Sequence, residues 1–248
     1  MSILRTLPFN LSESGPECVD GVGNFCLRVM APAPSELSLS SLYFLDSHGQ
    51  IPSKTHNPDY TPTKQSQIDW FTTLARRNMS KNGEGDNRTR LSLVFQHIPL
   101  PEFKEHRLNI LNGSRREPPE CPSLNTQFYD AMVEEGISAF GCGHDHVNDF
   151  CALLPKKTLQ NGTEPTHRGP WLCYGGVSGF GGYCSYDGRR FHRGMRVWEL
   201  DTDTGSLVTW KRVEYAKERV DEAVLMESGC VVERPEKDCD TETASELE

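Results

Sequence analysis

The sequence lacks any apolar run that approaches the roughly 20 residues of a transmembrane helix, so we expect no membrane span. It also lacks a broad basic region. The net charge is −9, part of it carried by residues 233–248, and a nucleic-acid partner is therefore not expected. The first 14 residues lack the sustained apolar core of a signal peptide. The length of 248 residues suits one domain, or a large part of one.

Cysteine is plentiful, but the sequence has no C-x-x-C pair. The nine cysteines are scattered singly, so their spacing does not suggest a structural zinc cluster. Five Asn-x-Ser/Thr sequons occur, at Asn10, Asn78, Asn87, Asn112 and Asn161, and this number suggests passage through the secretory route. We therefore predict a secreted or vacuolar protein if a signal peptide is missing from the N-terminus, and a cytoplasmic protein otherwise.

Short apolar strands alternate with amphipathic helices along the chain. The predicted strands cover residues 24–30, 42–45, 91–95, 137–140, 195–200 and 207–215. The predicted helices cover residues 67–77 and 126–135, and residues 216–226 show a weak helical pattern. This order indicates an α/β fold in layers, in which the last two strands form an antiparallel hairpin.

Histidines follow two of the predicted strands. His97 comes after the strand 91–95, and His144 and His146 come after the strand 137–140. Adjacent strand–helix units present their histidines at the same edge of a sheet, where open α/β sheets place their ligands. Imidazole is the commonest metal-binding side chain, and it binds zinc, iron or manganese. The sequence therefore predicts three metal ligands, with ordinary loop histidines as the alternative.

Two blocks around these histidines resemble the C-terminal signature blocks of the calcineurin-like metallophosphoesterases. They are residues 97–103 and residues 143–151, and residues 42–47 and 173–183 add a narrower similarity to the short branch of the purple acid phosphatases and its fungal relatives. The resemblance implies an α/β fold, specifically the C-terminal half of an αββα sandwich with mixed sheets.

The resemblance covers residues 21–215 and divides the chain. An N-terminal segment, 1–20, would precede the C-terminal part of the phosphoesterase domain, and a polar acidic tail, 216–248, would follow it. Apolar strands of this kind are normally covered on both faces. Without the other half of the sandwich, we predict an open apolar patch near the predicted strands.

The resemblance also implies a chemistry. In that family two divalent or trivalent metal ions (Fe, Zn or Mn) share a bridging carboxylate, and a metal-bound hydroxide attacks phosphorus in line. His97 and His144 would bind one ion and His146 the other. His106, on the loop after His97, could protonate the leaving alkoxide, although a plain surface histidine is the simpler interpretation. The substrate would be a phosphorylated small molecule or a phosphoprotein.

The sequence departs from the family where the carboxylate ligands should be. The segment 46–48 has Asp-x-His spacing, but its neighbours align with another part of the family, and Asn24 lacks the histidine that should follow it. The resemblance therefore implies a metal-dependent phosphatase that hydrolyses phosphomonoesters through a dinuclear centre, incomplete in this chain. The alternative is a non-catalytic truncated remnant or a single-metal binding module, since three imidazoles could hold one zinc ion.

Two further groups have alternative interpretations. Cys142 and Cys151 flank the histidine pair and could join it in a Cys/His zinc site, or Cys142 could point into the core as a small apolar residue. The basic residues of 189–193 could meet phosphate, although a solvated basic turn is the default interpretation.

Overall fold

The structure is a computed structural model that describes residues 3–56, 58–80, 91–155 and 169–232. The strands are β1 (Phe25–Met30), β2 (Ser38–Phe44), β3 (Gln50–Ile51), β4 (Asp59–Tyr60), β5 (Leu91–Phe95), β6 (Asn109–Asn112), β7 (Ala139–Cys142), β8 (Cys151–Leu153), β9 (Trp171–Tyr174), β10 (Ser185–Tyr186), β11 (Arg189–Arg190), β12 (Gly194–Asp201), β13 (Ser206–Val213), β14 (Val220–Glu227) and β15 (Cys230–Val231). The α-helices are α1 (Gln65–Ser80) and α2 (Phe128–Glu134), and 3-10 turns lie at Leu4–Thr6 and Pro101–Lys104.

A seven-stranded mixed sheet forms the centre of the fold, in the order β1-β2-β5-β7-β9-β8-β6. Strands β2, β5, β7 and β9 run parallel to one another, because helical crossovers return the chain to the same end of the sheet before β5 and β7. Strands β1, β8 and β6 pair antiparallel to their neighbours. The predicted α/β class with a mixed sheet is confirmed.

Helices α1 and α2 cover one face of this sheet. Their apolar sides pack against β2, β5 and β7, and the rings of Phe71 and Phe128 lie 5.3 Å apart, edge to face. The buried side chains of this layer include Tyr43, Ile68, Phe71, Val94, Phe128, Met132 and Phe140. Both predicted helices are present, with their ends shifted by a few residues. Neither described helix is long and apolar enough to cross a membrane.

A second sheet, β12-β13-β14-β15, packs on part of the opposite face. The predicted hairpin is confirmed as β12 and β13, which pair antiparallel from Gly194↔Val213 to Asp201↔Ser206. The helix that the weak pattern over residues 216–226 suggested is wrong, because β14 occupies most of that segment. Ala223 and Leu225 alternate inward, and the Leu225 carbonyl accepts a 2.8 Å hydrogen bond from the Trp171 indole. The sheet thus continues to Val231, inside the region assigned to the polar tail.

Part of the large sheet stays uncovered beyond the edge of β12. A row of half-buried aromatic rings marks this area: Phe25 lies 4.7 Å from Phe44, Phe44 lies 5.4 Å from Phe95, and Phe95 lies 5.9 Å from Trp198. A groove of about 350 Å³ runs beside the last three rings. The predicted apolar patch is therefore present but narrow, since most residues of the apolar runs, such as Val94, are fully buried.

The sequons give less support to secretion than their number suggests. Asn78 is buried, and its amide donates a 3.2 Å hydrogen bond to the Tyr43 hydroxyl, so it serves as a core residue. The amide of Asn112 donates to the Asp221 carbonyl at 2.6 Å. Two others, Asn87 and Asn161, lie outside the described residues.

The uncovered face predicts that buried and half-buried aromatic residues contribute differently to the stability of the chain. Phe140 is fully buried, so Phe140→Ala should lower the free energy of unfolding by about 3–5 kcal/mol. Phe44 is half-buried, so Phe44→Ala should cost clearly less and should reduce the binding of a hydrophobic fluorescent dye. Urea unfolding and dye titration measure the two effects. Equal losses of stability, or a wild-type chain that binds no dye, would contradict an open face.

Candidate metal centre

His97 and His144 meet at the edge of the large sheet where β5 and β7 end. The two strands are parallel neighbours with Phe95 opposite Gly141, so the residues that follow them lie side by side. The Gly143 amide donates a 3.0 Å hydrogen bond to the His97 carbonyl, and the imidazole rings of His97 and His144 lie 5.3 Å apart. The structure thus brings together two of the three predicted ligands.

Glycine at position 143 allows this close approach. A Cβ atom there would lie 3.3 Å from His97 Nδ1, tighter than an ordinary van der Waals contact. The next residue, His144, has a positive φ of 74°, which is uncommon for a residue other than glycine and often marks a functional site. The sharp turn after β7 therefore aims the His144 side chain back toward His97.

The Nε2 atom of His144 is buried without a hydrogen-bond partner. The nearest charged group is Glu120, whose Oε2 lies 3.6 Å away, beyond hydrogen-bonding distance. That carboxylate oxygen already accepts a 2.8 Å hydrogen bond from the Tyr60 hydroxyl, and the Tyr60 ring packs edge-on against His144 at 4.7 Å. An unpaired buried nitrogen is costly, and a metal ion is one partner that would satisfy it.

Burial lowers the pKa of both paired histidines below the ordinary value. For His97 the nearby His146 adds to the effect, and for His144 the neighbouring His97 does so. Burial therefore favours the neutral form of both rings. The neutral imidazole is the form that binds a metal ion, so their electrostatic setting fits the predicted role.

His146 lies on the same loop but contacts a different partner. Its Nδ1 is 3.0 Å from the Tyr183 carbonyl oxygen, and its ring stacks on the Tyr183 ring at 4.1 Å. Among the described residues, no three His, Cys, Asp or Glu side chains converge closely enough to hold an ion. The third predicted ligand is therefore near the pair without joining it.

The other residues that the sequence offered for the site lie in different parts of the structure. His106 is exposed on the loop before β6, and no described contact joins it to the three histidines, so its role stays a prediction. The predicted Cys/His alternative is wrong, because Cys151 forms a disulfide with Cys173 and Cys142 is buried in the core, where burial raises its pKa far above the ordinary value. Arg189 and its neighbour in β11 are exposed.

Asp46 and Asn24, upstream of the histidines, form hydrogen bonds within and between their own loops. The Asp46 carboxylate accepts 2.8 Å hydrogen bonds from the backbone amides of Val22 and His48. The Asn24 side-chain oxygen accepts one from the Asp46 amide at 3.1 Å. Their side chains thus stabilise these loops.

Buried ion pairs fix the loop that carries His146. The Asp149 carboxylate lies 2.7 Å from an Arg116 guanidinium nitrogen and 2.6 Å from Lys211 Nζ, on β13. These two cations lower the pKa of Asp149 against the opposing effect of burial. Asp145, between the two histidines, is also buried and accepts a 2.5 Å hydrogen bond from the Tyr174 hydroxyl. Burial raises the pKa of Asp145 to about 6.

The donor set consists of three imidazoles on two adjacent loops, one of them with an unpaired nitrogen. Imidazoles are zinc ligands, but His146 does not converge with the other two among the described residues. The carboxylates nearest to them, Glu117, Glu120 and Asp145, are already hydrogen-bonded to neighbouring groups. Among the residues that the structure describes, none of these carboxylates joins the histidines in a group of three potential ligands.

Comparisons with known proteins place the chain among phosphatase-like sequences. Phosphatase DCR2 of Saccharomyces cerevisiae is 30% identical over 222 residues, which cover 85% of this chain and 36% of the yeast protein. Probable inactive purple acid phosphatase 29 of Arabidopsis thaliana is 33% identical over 235 residues, or 86% of this chain and 56% of that protein. Probable inactive purple acid phosphatase 14 of the same plant is 30% identical over 236 residues, with 86% and 55% covered. No family model matches the chain.

The chain spans only 36% to 56% of the length of these three curated relatives. Two of them carry the word inactive in their names. Similarity alone therefore supports the superfamily without establishing an activity for this chain.

The ion-pair network around Asp149 predicts that the chain loses stability when this carboxylate is removed. Asp149→Ala removes the ion-pair partner of Arg116 and one of the two carboxylate partners of Lys211, which keeps Asp221, so it should lower the free energy of unfolding by about 1–3 kcal/mol. Asp203→Ala, at an exposed turn, is the control and should cost less than about 0.5 kcal/mol. Equal unfolding midpoints in urea for the two variants would show that the network does not stabilise this loop.

Proposed function

The homologues of this chain are purple acid phosphatase-like proteins of the calcineurin-like phosphoesterase superfamily, as its histidine blocks predicted, and we propose that it is part of a metal-dependent phosphatase. In this proposal His97, His144 and His146 are the metal ligands that the chain supplies. The observation that carries it is the pairing of His97 with His144, in which a buried imidazole nitrogen has no hydrogen-bond partner.

The proposed reaction is hydrolysis of a phosphomonoester, with a phosphorylated small molecule or a phosphoprotein as the substrate. When bound, metal ions at such a site lower the pKa of a water molecule and neutralise phosphoryl oxygens. The chain's own residues keep two imidazoles neutral by burial and hold them side by side. His106, exposed on a neighbouring loop, is the proposed proton donor to the leaving alkoxide.

A centre with two ions requires more than the described residues offer. The proposed iron, zinc or manganese pair of a complete site would need a bridging carboxylate. We propose that this group comes from sequence outside the region that the chain shares with its relatives, since the shared region covers only part of their length. Under this proposal the chain is one half of a catalytic domain.

A second candidate function is a non-catalytic module that binds a single metal ion. Two observations favour it: no described carboxylate bridges the histidines, and two relatives have names that call them probably inactive. Three imidazoles suffice to bind zinc, so metal binding and catalysis are separable in this protein.

The compartment is a further part of the proposal. Cys151 and Cys173 face each other across β8 and β9 and form a disulfide. Disulfides persist in oxidising compartments and are rare in the cytosol. This pair therefore supports a secreted or vacuolar protein over a cytoplasmic one.

Zinc titration of the purified chain tests the proposal. The wild-type chain should bind zinc, and His97→Ala and His144→Ala should each weaken binding by more than the roughly 10–100-fold that loss of an outer-shell partner costs. His56→Ala, at an exposed loop position, is the matched control and should bind as the wild type does. Binding that is the same in all four proteins would remove these histidines from the site.

Metal content and activity then separate the two candidate functions. The test uses the chain complemented with the segment that supplies the bridging carboxylate. Two metal ions per molecule together with hydrolysis of p-nitrophenyl phosphate would support the phosphatase, and one ion without hydrolysis would support the single-metal module.

A further inference from the structure

The end of the glycine-rich segment 175–183 folds back onto His146. The Tyr183 carbonyl oxygen lies 3.0 Å from His146 Nδ1, the two rings stack at 4.1 Å with planes only 15° apart, and the His146 backbone amide donates a 3.2 Å hydrogen bond to the Tyr183 hydroxyl. One residue thus touches the ring, the ring nitrogen and the backbone of His146. No other histidine of the candidate centre has such a partner among the described residues.

Glu117 holds Tyr183 in this position. Its carboxylate accepts the Tyr183 hydroxyl proton at 3.0 Å, and the same carboxylate accepts a 2.9 Å hydrogen bond from the Val147 amide, next to His146. The backbone of Glu117 is joined to the same loop, because the Asn148 side chain both accepts from its amide and donates to its carbonyl. Glu117 is 7% exposed, so water competes little for these bonds.

The geometry decides which nitrogen of His146 is available. A carbonyl oxygen can only accept, so Nδ1 beside the Tyr183 carbonyl must carry the proton. The lone pair of the neutral ring is then on Nε2, which has no hydrogen-bond partner among the described residues. Metal-binding histidines commonly donate their other ring N–H to a carbonyl or carboxylate in this way, which fixes the tautomer and the ring orientation.

Glycine at position 182 is required for this contact. A Cβ atom there would lie 2.4 Å from His146 Cε1 and 2.7 Å from Nδ1. Non-bonded contacts of Cβ atoms in proteins are essentially never this short. The neighbouring Gly181 is different, because a Cβ atom at that position meets nothing within 4 Å. The chain therefore offers two adjacent glycines of which only one touches the histidine.

We propose that Glu117, Gly182 and Tyr183 form a clamp that positions His146, holding the Nδ1–H tautomer so that Nε2 is the metal-binding nitrogen. All three are positioning residues, since they act through His146. The proposal rests on the proposed function, because it takes His146 as a ligand. It assigns a purpose to the glycine-rich segment, which brings Tyr183 to the loop between β7 and β8.

Gly182→Ala and Gly181→Ala form a matched pair that tests the clamp. In the full-length, metal-free chain, long-range proton–nitrogen NMR at a pH where the ring is neutral should show His146 protonated on Nδ1. Gly181→Ala should keep this signature and bind zinc within about twofold of the wild type. Gly182→Ala should give a mixture of tautomers and bind zinc roughly 10–100-fold more weakly.

Tyr183→Phe is a second variant that adds no steric strain. It keeps the ring stacking and the backbone carbonyl beside Nδ1, and it removes only the hydroxyl that links His146 to Glu117. It should therefore keep the Nδ1–H tautomer and weaken zinc binding roughly tenfold, while circular dichroism stays like that of the wild type. Unchanged zinc affinity in this variant would show that Glu117 does not help to position His146.

The outcomes separate this proposal from the proposed function. Wild-type His146 protonated on Nε2, or equal zinc affinities in the two alanine variants, would overturn the clamp. A wild-type chain that binds no zinc would overturn the proposed function instead, and the tautomer measurement, which needs no metal, would still decide whether the clamp orients His146.

Discussion

The parallel pairing of β5 with β7 is the contact on which the candidate centre depends. Its register sets Phe95 opposite Gly141, and the two strands end at the same edge. The loops that follow therefore start side by side, and His97 and His144 face each other across 5.3 Å. Both strands are buried between the helices and the second sheet, so core packing fixes the backbone that precedes each histidine. The positions of the two histidines therefore do not depend on loop conformation alone.

The loop that carries His144 and His146 is fixed by a second set of contacts from outside the parallel strands. Asp149 joins it to Lys211 on the second sheet, and Glu117 joins it to the glycine-rich segment. The second sheet therefore has a role beyond covering apolar surface, since it holds one end of the loop that carries His144 and His146. The same sheet stops at β12 and leaves the aromatic row open, so the molecule combines an ordered histidine loop with an uncovered face.

The sequence predicted those features that depend on near neighbours in the chain. Strand patterns placed His97 and His144 at adjacent strand ends, and apolar spacing located both helices. It missed β14, because the inward residues Ala223 and Leu225 follow the charged, exposed residues 221 and 222, and the segment therefore resembles a polar helix. It did not reveal the contact of Tyr183 with His146, since this contact joins positions 37 residues apart and only the folded chain brings them together.

The central claim is that three imidazoles of this chain bind a metal ion. Anomalous X-ray diffraction at the zinc absorption edge, from crystals of the zinc-loaded chain, tests it most directly. The account predicts anomalous density at the ends of β5 and β7 that is bonded to His97 and His144 and to Nε2 of His146, at the zinc–nitrogen distances of about 2.0–2.1 Å found in proteins. A peak bonded to other residues, or none at the ends of β5 and β7, would contradict it.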